Sequence, residues 1–274
     1  MPLTGKDGIL RKGLEALYGK YNRRDLVHPD PLEFLYGFPD PRDREIIALV
    51  AASLAYGRVQ QILKSINNCL EIMGPSPRLF LKNSNDQAIE QAFSSFRYRF
   101  TSGHEMGRFM KGLKRALEIH GGLEPLFSVQ GQASPGPAGT VERLKSAVDS
   151  LLHLAGLKSS YLLPDPAKKS ACKRLFLFLR WMVRKDGVDP GGWSVISPAD
   201  LVIPLDTHMF HIAGDLGFTC RKQANLAAAL EITGAFRQIN PDDPVKYDFV
   251  LTRFGIRSEL SRDDVKVLLS GPGG

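Results

Sequence analysis

The chain has 274 residues, enough for one large helical domain or for two smaller lobes that each bury a core. Its 43% hydrophobic and 24% charged residues are typical of a globular protein and exclude an intrinsically disordered one. Lysine and arginine outnumber aspartate and glutamate by 36 to 29, a surplus that favours a polyanionic partner such as nucleic acid or an acidic membrane face.

The three cysteines, Cys69, Cys172 and Cys220, lie far apart and form no CxxC pair. The sequence therefore offers no ligand set for a zinc ribbon or a cysteine-bound iron–sulfur cluster, and we expect neither a metal nor a cofactor. The odd cysteine count and the lack of a signal peptide favour a reducing compartment. No segment reaches the roughly 18–20 uncharged apolar residues of a membrane span, so we expect a cytoplasmic protein that acts as a monomer.

Along most of the chain, apolar residues recur at intervals of three and four, as they do in amphipathic helices. Residues 43–73 predict one helix, with Asp43 as its cap and Gly74-Pro75 as its stop. Residues 130–139 and 186–204 are rich in glycine and proline and predict loops. Because no alternating strand pattern of useful length occurs, we expect an all-α fold. Further helices are predicted over residues 103–120, 141–157, 172–183, 206–216, 225–238 and 244–254.

The helix predicted from Lys173 onwards has an apolar back and a basic front. Lys173, Arg180 and Arg184 share one face, with Arg174 and Lys185 beside it and Trp181 within it. Such a face either contacts a polyanion or is simply solvated. In the next helix, Asp206 is expected to be the N-cap, which is its commonest role at such a place. His208 is equally an ordinary surface histidine when it is considered alone.

Taken together, these segments resemble a known family. The segment IPLDTHMFHIAGDLG, residues 203–217, is similar to the signature P-V-D-[TV]-H-[VM]-x-[RH]-[IV] of the helix-hairpin-helix DNA glycosylases. The match is close to the 8-oxoguanine glycosylases, including the archaeal type, at Pro204, Asp206, His208, Met209, His211 and Ile212. The resemblance implies that Asp206 is catalytic, that His208 lies near the DNA backbone, and that Lys173 is the nucleophile of a lyase reaction. That mechanism requires the amine of Lys173 and the carboxylate of Asp206 to lie within a few ångströms of each other.

Two further segments extend the resemblance over roughly residues 43–256. LVAASLAYGRVQQIL, residues 49–63, resembles the helix–turn–helix that wedges into duplex DNA, and places Tyr56, Gly57 and Arg58 at the wedge. YDFVLTRFG, residues 247–255, is similar to the final helix and its glycine. The implied architecture has two helical lobes with a cleft between them, a central lobe of residues 43–185 and a second lobe of residues 1–42 and 186–274. The whole chain also resembles an uncharacterised bacterial family of unknown function.

The chain departs from the glycosylase pattern at the hairpin. The usual L-P-G-[VI]-G-x-K is replaced by LPDPAKK, residues 163–169, without either glycine. The missing glycines normally let backbone N–H groups approach a phosphate, so this contact is built differently here or is missing. Alignment on the prolines makes Lys169 an alternative nucleophile.

The resemblance implies a partner, double-stranded DNA with a damaged base, and a reaction, removal of an oxidised base such as 8-oxoguanine with or without AP-lyase activity. One alternative is a non-catalytic DNA- or RNA-binding protein that keeps the glycosylase fold. Another is an RNA-processing or unrelated helical enzyme. Besides His208, Tyr56 and Arg58, the candidate DNA contacts are Arg174, Arg180, Arg184 and Lys185. The candidate residues of the base pocket are Trp181, Tyr247 and Phe249.

Overall fold

The computed structural model describes residues 5–128, 133–168, 170–256, 260 and 265. Within those residues the chain forms eleven α-helices and one hairpin of two short antiparallel strands. The helices are α1 (Gly5–Tyr21), α2 (Pro41–Leu54), α3 (Val59–Met73), α4 (Pro77–Asn83), α5 (Asp86–Phe93), α6 (Gly103–His120), α7 (Pro137–Ala155), α8 (Lys173–Val183), α9 (Thr207–Asp215), α10 (Leu226–Ile239) and α11 (Asp248–Ile256), and the strands are β1 (Arg97–Tyr98) and β2 (Thr101–Ser102). The predicted all-α fold is confirmed.

The core lies around α2 and α8, which pack against each other. Every residue of α2 from Glu45 to Leu54 is buried, and so is every residue of α8 from Leu175 to Val183 except Leu177. A helix that is buried on nearly all sides belongs to the interior of a domain. The other helices surround this pair, with α6 against α5 and α7, and with α11 against α1 and α9.

The single helix predicted over residues 43–73 is wrong, because the chain turns between α2 and α3. In this turn Gly57 has φ of +97°, a backbone conformation that a right-handed helix does not contain and that residues with a side chain rarely adopt. Helix α2 is capped by Asp40 and not, as the sequence predicted, by Asp43. The carboxylate of Asp40 accepts a hydrogen bond from the N–H of Arg42 at 2.7 Å. The helix–turn–helix that the family resemblance implied for this segment is therefore present.

The other predicted helices are present with shifted ends. α6 has the predicted bounds. α7 begins earlier than predicted, at Pro137, because proline lacks only a backbone N–H, and the N–H groups of the first turn have no partner within the helix. α11 begins later than predicted, at Asp248. Residues 130–132 of the predicted loop lie outside the described part of the chain. Three helices, α1, α4 and α5, were not predicted, and two of them have only seven or eight residues.

Helix α1 contacts segments that lie far along the chain. Glu15 in α1 accepts hydrogen bonds from Lys246 at 2.8 Å and from Tyr247 at 2.7 Å, and Tyr18 donates to Asp186 at 2.8 Å. The division into a central lobe of residues 43–185 and a second lobe made of both ends stays a prediction. None of the described helices combines the length and the apolar character that crossing a bilayer requires.

Candidate active site

Lys173 and Asp206 meet where two helices begin. Lys173 is the first residue of α8, and Asp206 is the N-cap of α9. One carboxylate oxygen of Asp206, Oδ1, accepts the backbone N–H of Met209 at 2.8 Å and so caps α9. The other oxygen, Oδ2, lies 3.3 Å from Nζ of Lys173. The same carboxylate therefore caps the start of α9 and pairs with the ammonium group of the first residue of α8.

This ion pair lies between two adjoining cavities. The first has a volume of about 280 Å³ and is enclosed by the α2–α3 turn, α8, α9 and α11. The second has a volume of about 550 Å³ and is lined by the same pair together with Tyr56, Gly57 and Arg174. The side chain of Lys173 is 37% exposed and that of Asp206 is 13% exposed, so a molecule in either cavity can reach both groups. We call the 280 Å³ space the central cavity. Its polar wall consists of Asp30, Lys173, Arg180, Asp206, His208, Asp248, Thr252 and Arg253.

Asp248 contributes a second carboxylate to the central cavity. Its Oδ2 accepts a hydrogen bond from Nη1 of Arg180 at 2.5 Å, whereas its buried Oδ1 has no hydrogen-bond partner in the described structure. Burial raises the pKa of Asp248 to about 6; the guanidinium of Arg180 opposes this rise, and the nearby charge of Asp206 adds to it. The cavity wall thus contains carboxylates in different environments, and that of Asp248 has an oxygen free to accept a hydrogen bond.

A comparison of the whole sequence with known families gives one match. A family described as "Protein of unknown function (DUF2400)" matches residues 30–257, which include Lys173, Asp206 and Asp248. The chain belongs to this family. Neither the curated proteins nor the solved structures yield a match. The resemblance to an uncharacterised family is confirmed, and the chemistry of this DUF2400 protein has to be argued from the site itself.

Two of the arginines predicted to hold phosphates are buried. Arg180 is 3% exposed and bonds Asp189 at 3.0 and 3.2 Å as well as Asp248. Arg184 is 4% exposed and pairs with Asp189 and with Asp243, the latter at 2.9 Å. In the described structure each of these guanidinium groups is already paired with buried carboxylates, which argues against the predicted phosphate contacts. Their role in this fold is to link α8 to the segment that follows it and to α11.

The other predicted DNA contacts lie in different places. Arg174 packs between the rings of Tyr56 and Tyr161, 4.9 Å from each, and lines the second cavity. Lys185 is exposed beyond the end of α8 and lines neither cavity. Arg58 is exposed and faces a separate groove beside α3.

Tyr56 does not project from the surface as a wedge. Its hydroxyl group hydrogen-bonds Thr101 at 2.9 Å and the carbonyl oxygen of Tyr98 at 3.2 Å, and its ring packs against the rings of Tyr98 and Tyr161. These contacts hold Tyr56 beneath the β1–β2 hairpin. The residue lines the second cavity, but insertion between stacked bases would break all of these contacts.

The three aromatic residues predicted to form a base pocket belong to the core. Trp181 and Tyr247 are 0% exposed and Phe249 is 1% exposed, and none of them lines the central cavity. The prediction is wrong because the residues that face the cavity are the sequence neighbours of these three and not the aromatic residues themselves. In α11 it is Asp248, between Tyr247 and Phe249, that lines it.

His208 faces the central cavity from α9 and lies against Gly255 of α11. A Cβ atom added at Gly255 would overlap the ring of His208, so the two helices can approach this closely only because position 255 has no side chain. The final glycine noted in the sequence therefore determines where the imidazole lies.

The segment that replaces the glycine hairpin forms a tight turn over Pro166–Lys168. The carboxylate of Asp165 accepts the N–H of Ala167 at 2.8 Å, so this N–H group is not available to a phosphate. Lys169, the alternative nucleophile, lies outside the described residues.

Sequence reasoning missed Asp248 and the Arg253–Asp30 pair, whose Nη2–Oδ2 distance is 2.9 Å and whose members both line the central cavity. One local signal could have pointed to Asp248, since a charged residue between aromatic residues in an apolar helix needs a buried partner. That partner, Arg180, could not be identified because it comes from a distant helix.

Proposed function

We propose that this DUF2400 protein is a DNA glycosylase, with or without AP-lyase activity, that removes an oxidised base such as 8-oxoguanine from duplex DNA. The observation that carries the proposal is the 3.3 Å between Nζ of Lys173 and Oδ2 of Asp206, in a cavity open to solvent. The resemblance of residues 203–217 to the glycosylase signature assigns chemistry to this pair. Its two members come from different helices and meet beside space that a nucleotide can enter.

In this proposal Asp206 stabilises the charge that develops on the sugar. Cleavage of an N-glycosidic bond makes the sugar ring cationic in the transition state, and a fixed carboxylate beside it lowers the barrier. The hydrogen bond from Met209 holds one oxygen of Asp206 and leaves the other facing the cavity. The carboxylate therefore does not have to reorient during the reaction.

Lys173 is the proposed nucleophile. After its ammonium group has given a proton to solvent, the free amine attacks C1′ while the base leaves with the electrons of the glycosidic bond and takes up a proton. Opening of the C1′–O4′ bond, with a proton moving to O4′, gives a Schiff base between Lys173 and the sugar. Removal of a proton from C2′ then expels the 3′ phosphate, and this elimination is the lyase step.

The experiment is trapping with borohydride. A duplex with 8-oxoguanine is incubated with the protein and sodium borohydride, and we expect a covalent adduct because hydride addition converts the Schiff base to a stable amine. Lys173→Gln should abolish the adduct, whereas Lys169→Gln and the surface control Lys145→Gln should keep it. Loss of the adduct in Lys169→Gln alone would transfer the role to that residue. The proposal is rejected if a panel of damaged bases gives neither an adduct nor base release.

One observation favours a second candidate, a DNA- or RNA-binding protein that keeps the fold without the chemistry. The N–H of Ala167, in the segment that replaces the glycine hairpin, is already bonded to Asp165, so one backbone contact with phosphate is lost. Salt-dependent binding of DNA or RNA that is unchanged by Asp206→Asn, without base release, supports this candidate over the first.

A further inference from the structure

A large groove lies beside the candidate active site, between α3 and the β1–β2 hairpin. Its volume is about 1030 Å³, and four of its lining residues are the exposed cations Arg58, Lys64, Arg97 and Arg99. Glu71 is the acidic residue that lines it, and the side-chain amides of α3 supply further polar groups. We call this space the basic groove. A surface with four positive charges and one negative charge, rich in amides, suits a phosphate backbone.

An aromatic side chain projects at the edge of this groove. Phe100 is 64% exposed at the tip of the hairpin, where Arg99 adopts φ of +49° to turn the chain. The ring of Phe100 packs on Tyr161 with a centroid distance of 5.0 Å, and the guanidinium of Arg99 lies 5.6 Å from the same ring. A single exposed aromatic residue is unremarkable on a protein surface, but one flanked by cations at a hairpin tip provides a stacking face for a base.

The hairpin is tied directly to the wall of the second cavity. Tyr56, which lines that cavity with Lys173 and Asp206, bonds Thr101 of β2, and its backbone carbonyl accepts the hydroxyl group of Tyr98 of β1. The position of the hairpin is thus fixed relative to the catalytic pair. The residue that the sequence placed at the wedge, Tyr56, supports the hairpin, and the exposed aromatic residue beside it is Phe100.

We propose that the hairpin tip inserts Phe100 into the base stack at the place that an extruded nucleotide leaves, while the basic groove holds the phosphates of the opposite strand. The inference rests on the proposed function for its partner, a DNA duplex, but not on any chemical step. Filling the gap left by an extruded base offsets the cost of unstacking it. The groove would then keep the remaining strand in register.

The groove is tested by the salt dependence of binding. Affinity for a duplex with 8-oxoguanine is measured by fluorescence anisotropy at several salt concentrations, in a Lys173→Gln background that prevents turnover. The double variant Arg58→Gln/Lys64→Gln should bind more weakly, and the slope of log Kd against log salt should fall by about two, because each lost phosphate contact contributes about 0.9. The matched control Arg11→Gln/Lys12→Gln removes two exposed charges of α1 and should leave the slope unchanged. Equal slopes for both double variants would overturn the assignment of the groove.

Phe100 is tested by the fluorescence of 2-aminopurine placed next to the lesion, which rises when the base is unstacked. The parent protein should raise this fluorescence, Phe100→Ala should abolish the rise, and Ile119→Ala, which alters another exposed apolar side chain (63%), should preserve it. An unchanged rise in Phe100→Ala overturns the insertion, as does a preference of the parent protein for single-stranded RNA over the duplex. Neither the salt dependence nor the 2-aminopurine fluorescence needs base release. Both can therefore support the inference even if borohydride traps no adduct, and an adduct can form even if both measurements contradict the inference.

Discussion

The substitution Asp206→Asn separates the two roles that the structure gives to one carboxylate. Asparagine is as good an N-cap as aspartate, so its side-chain oxygen can still accept the N–H of Met209 and hold the start of α9. What it removes is the negative charge 3.3 Å from Nζ of Lys173. Because Lys173 is 37% exposed, the ion pair contributes at most about 1 kcal/mol to stability. We therefore expect the free energy of unfolding to change by less than that.

The effect on the proposed base release should be much larger. In the proposed reaction, a unit charge about 4 Å from the cationic sugar, at an effective dielectric constant of about 20, stabilises the transition state by about 4 kcal/mol. At 1.36 kcal/mol for each tenfold change, this corresponds to a rate lowered about 10³-fold. Asp206→Ala should show the same loss of rate and, in addition, about 1 kcal/mol of lost stability, because alanine cannot cap the helix.

Two measurements check this reasoning. Single-turnover release of 8-oxoguanine from a duplex gives the rate, and urea unfolding gives the stability of the parent, Asp206→Asn and Asp206→Ala proteins. A fall of less than tenfold in the Asp206→Asn rate would show that the charge does not act in the reaction. An asparagine variant as unstable as the alanine variant would show that the cap has been misjudged.

Three further predictions follow from the central cavity and its supports. Since the folded pKa of Asp248 is about 6 and an unfolded aspartate has about 3.9, its stabilising contribution is full below pH 4 and is lost as the pH rises through 6. Urea titrations should therefore show the parent losing up to about 3 kcal/mol relative to Asp248→Asn between pH 4 and 7, and a constant difference contradicts this. Arg180→Ala should lower the free energy of unfolding in urea by about 3–5 kcal/mol, because it leaves buried carboxylates unpaired. The exposed control Lys185→Ala should lower it by less than about 0.5 kcal/mol. Similar losses in the two variants would argue against the buried network. Gly255→Ala should displace the ring of His208 and weaken duplex binding by up to about tenfold, which corresponds to the loss of one hydrogen bond. His208→Ala should weaken binding to the same extent. Binding at the parental level in an anisotropy assay would exclude a contact between this histidine and DNA.

The sequence alone determined the features that depend on neighbouring residues. The spacing of apolar residues predicted α6 and α8, and the position of Asp206 before α9 predicted its cap, because periodicity and capping act within a few residues of the chain. The proximity of Lys173 to Asp206 was expected only from the family resemblance, since no local pattern links residues on separate helices.

Only the tertiary structure decided which faces of those helices meet water. The sequence predicted that the basic stripe of α8 either contacts a polyanion or is solvated, yet Arg180 and Arg184 are buried because Asp189, Asp243 and Asp248 reach them from other segments. Helical periodicity fixes the angle of a side chain about the helix axis, but it does not determine what lies opposite that side chain. What lies opposite is set by long-range packing, and for that reason the carboxylate of Asp248 and the exposed ring of Phe100 emerged only from the fold.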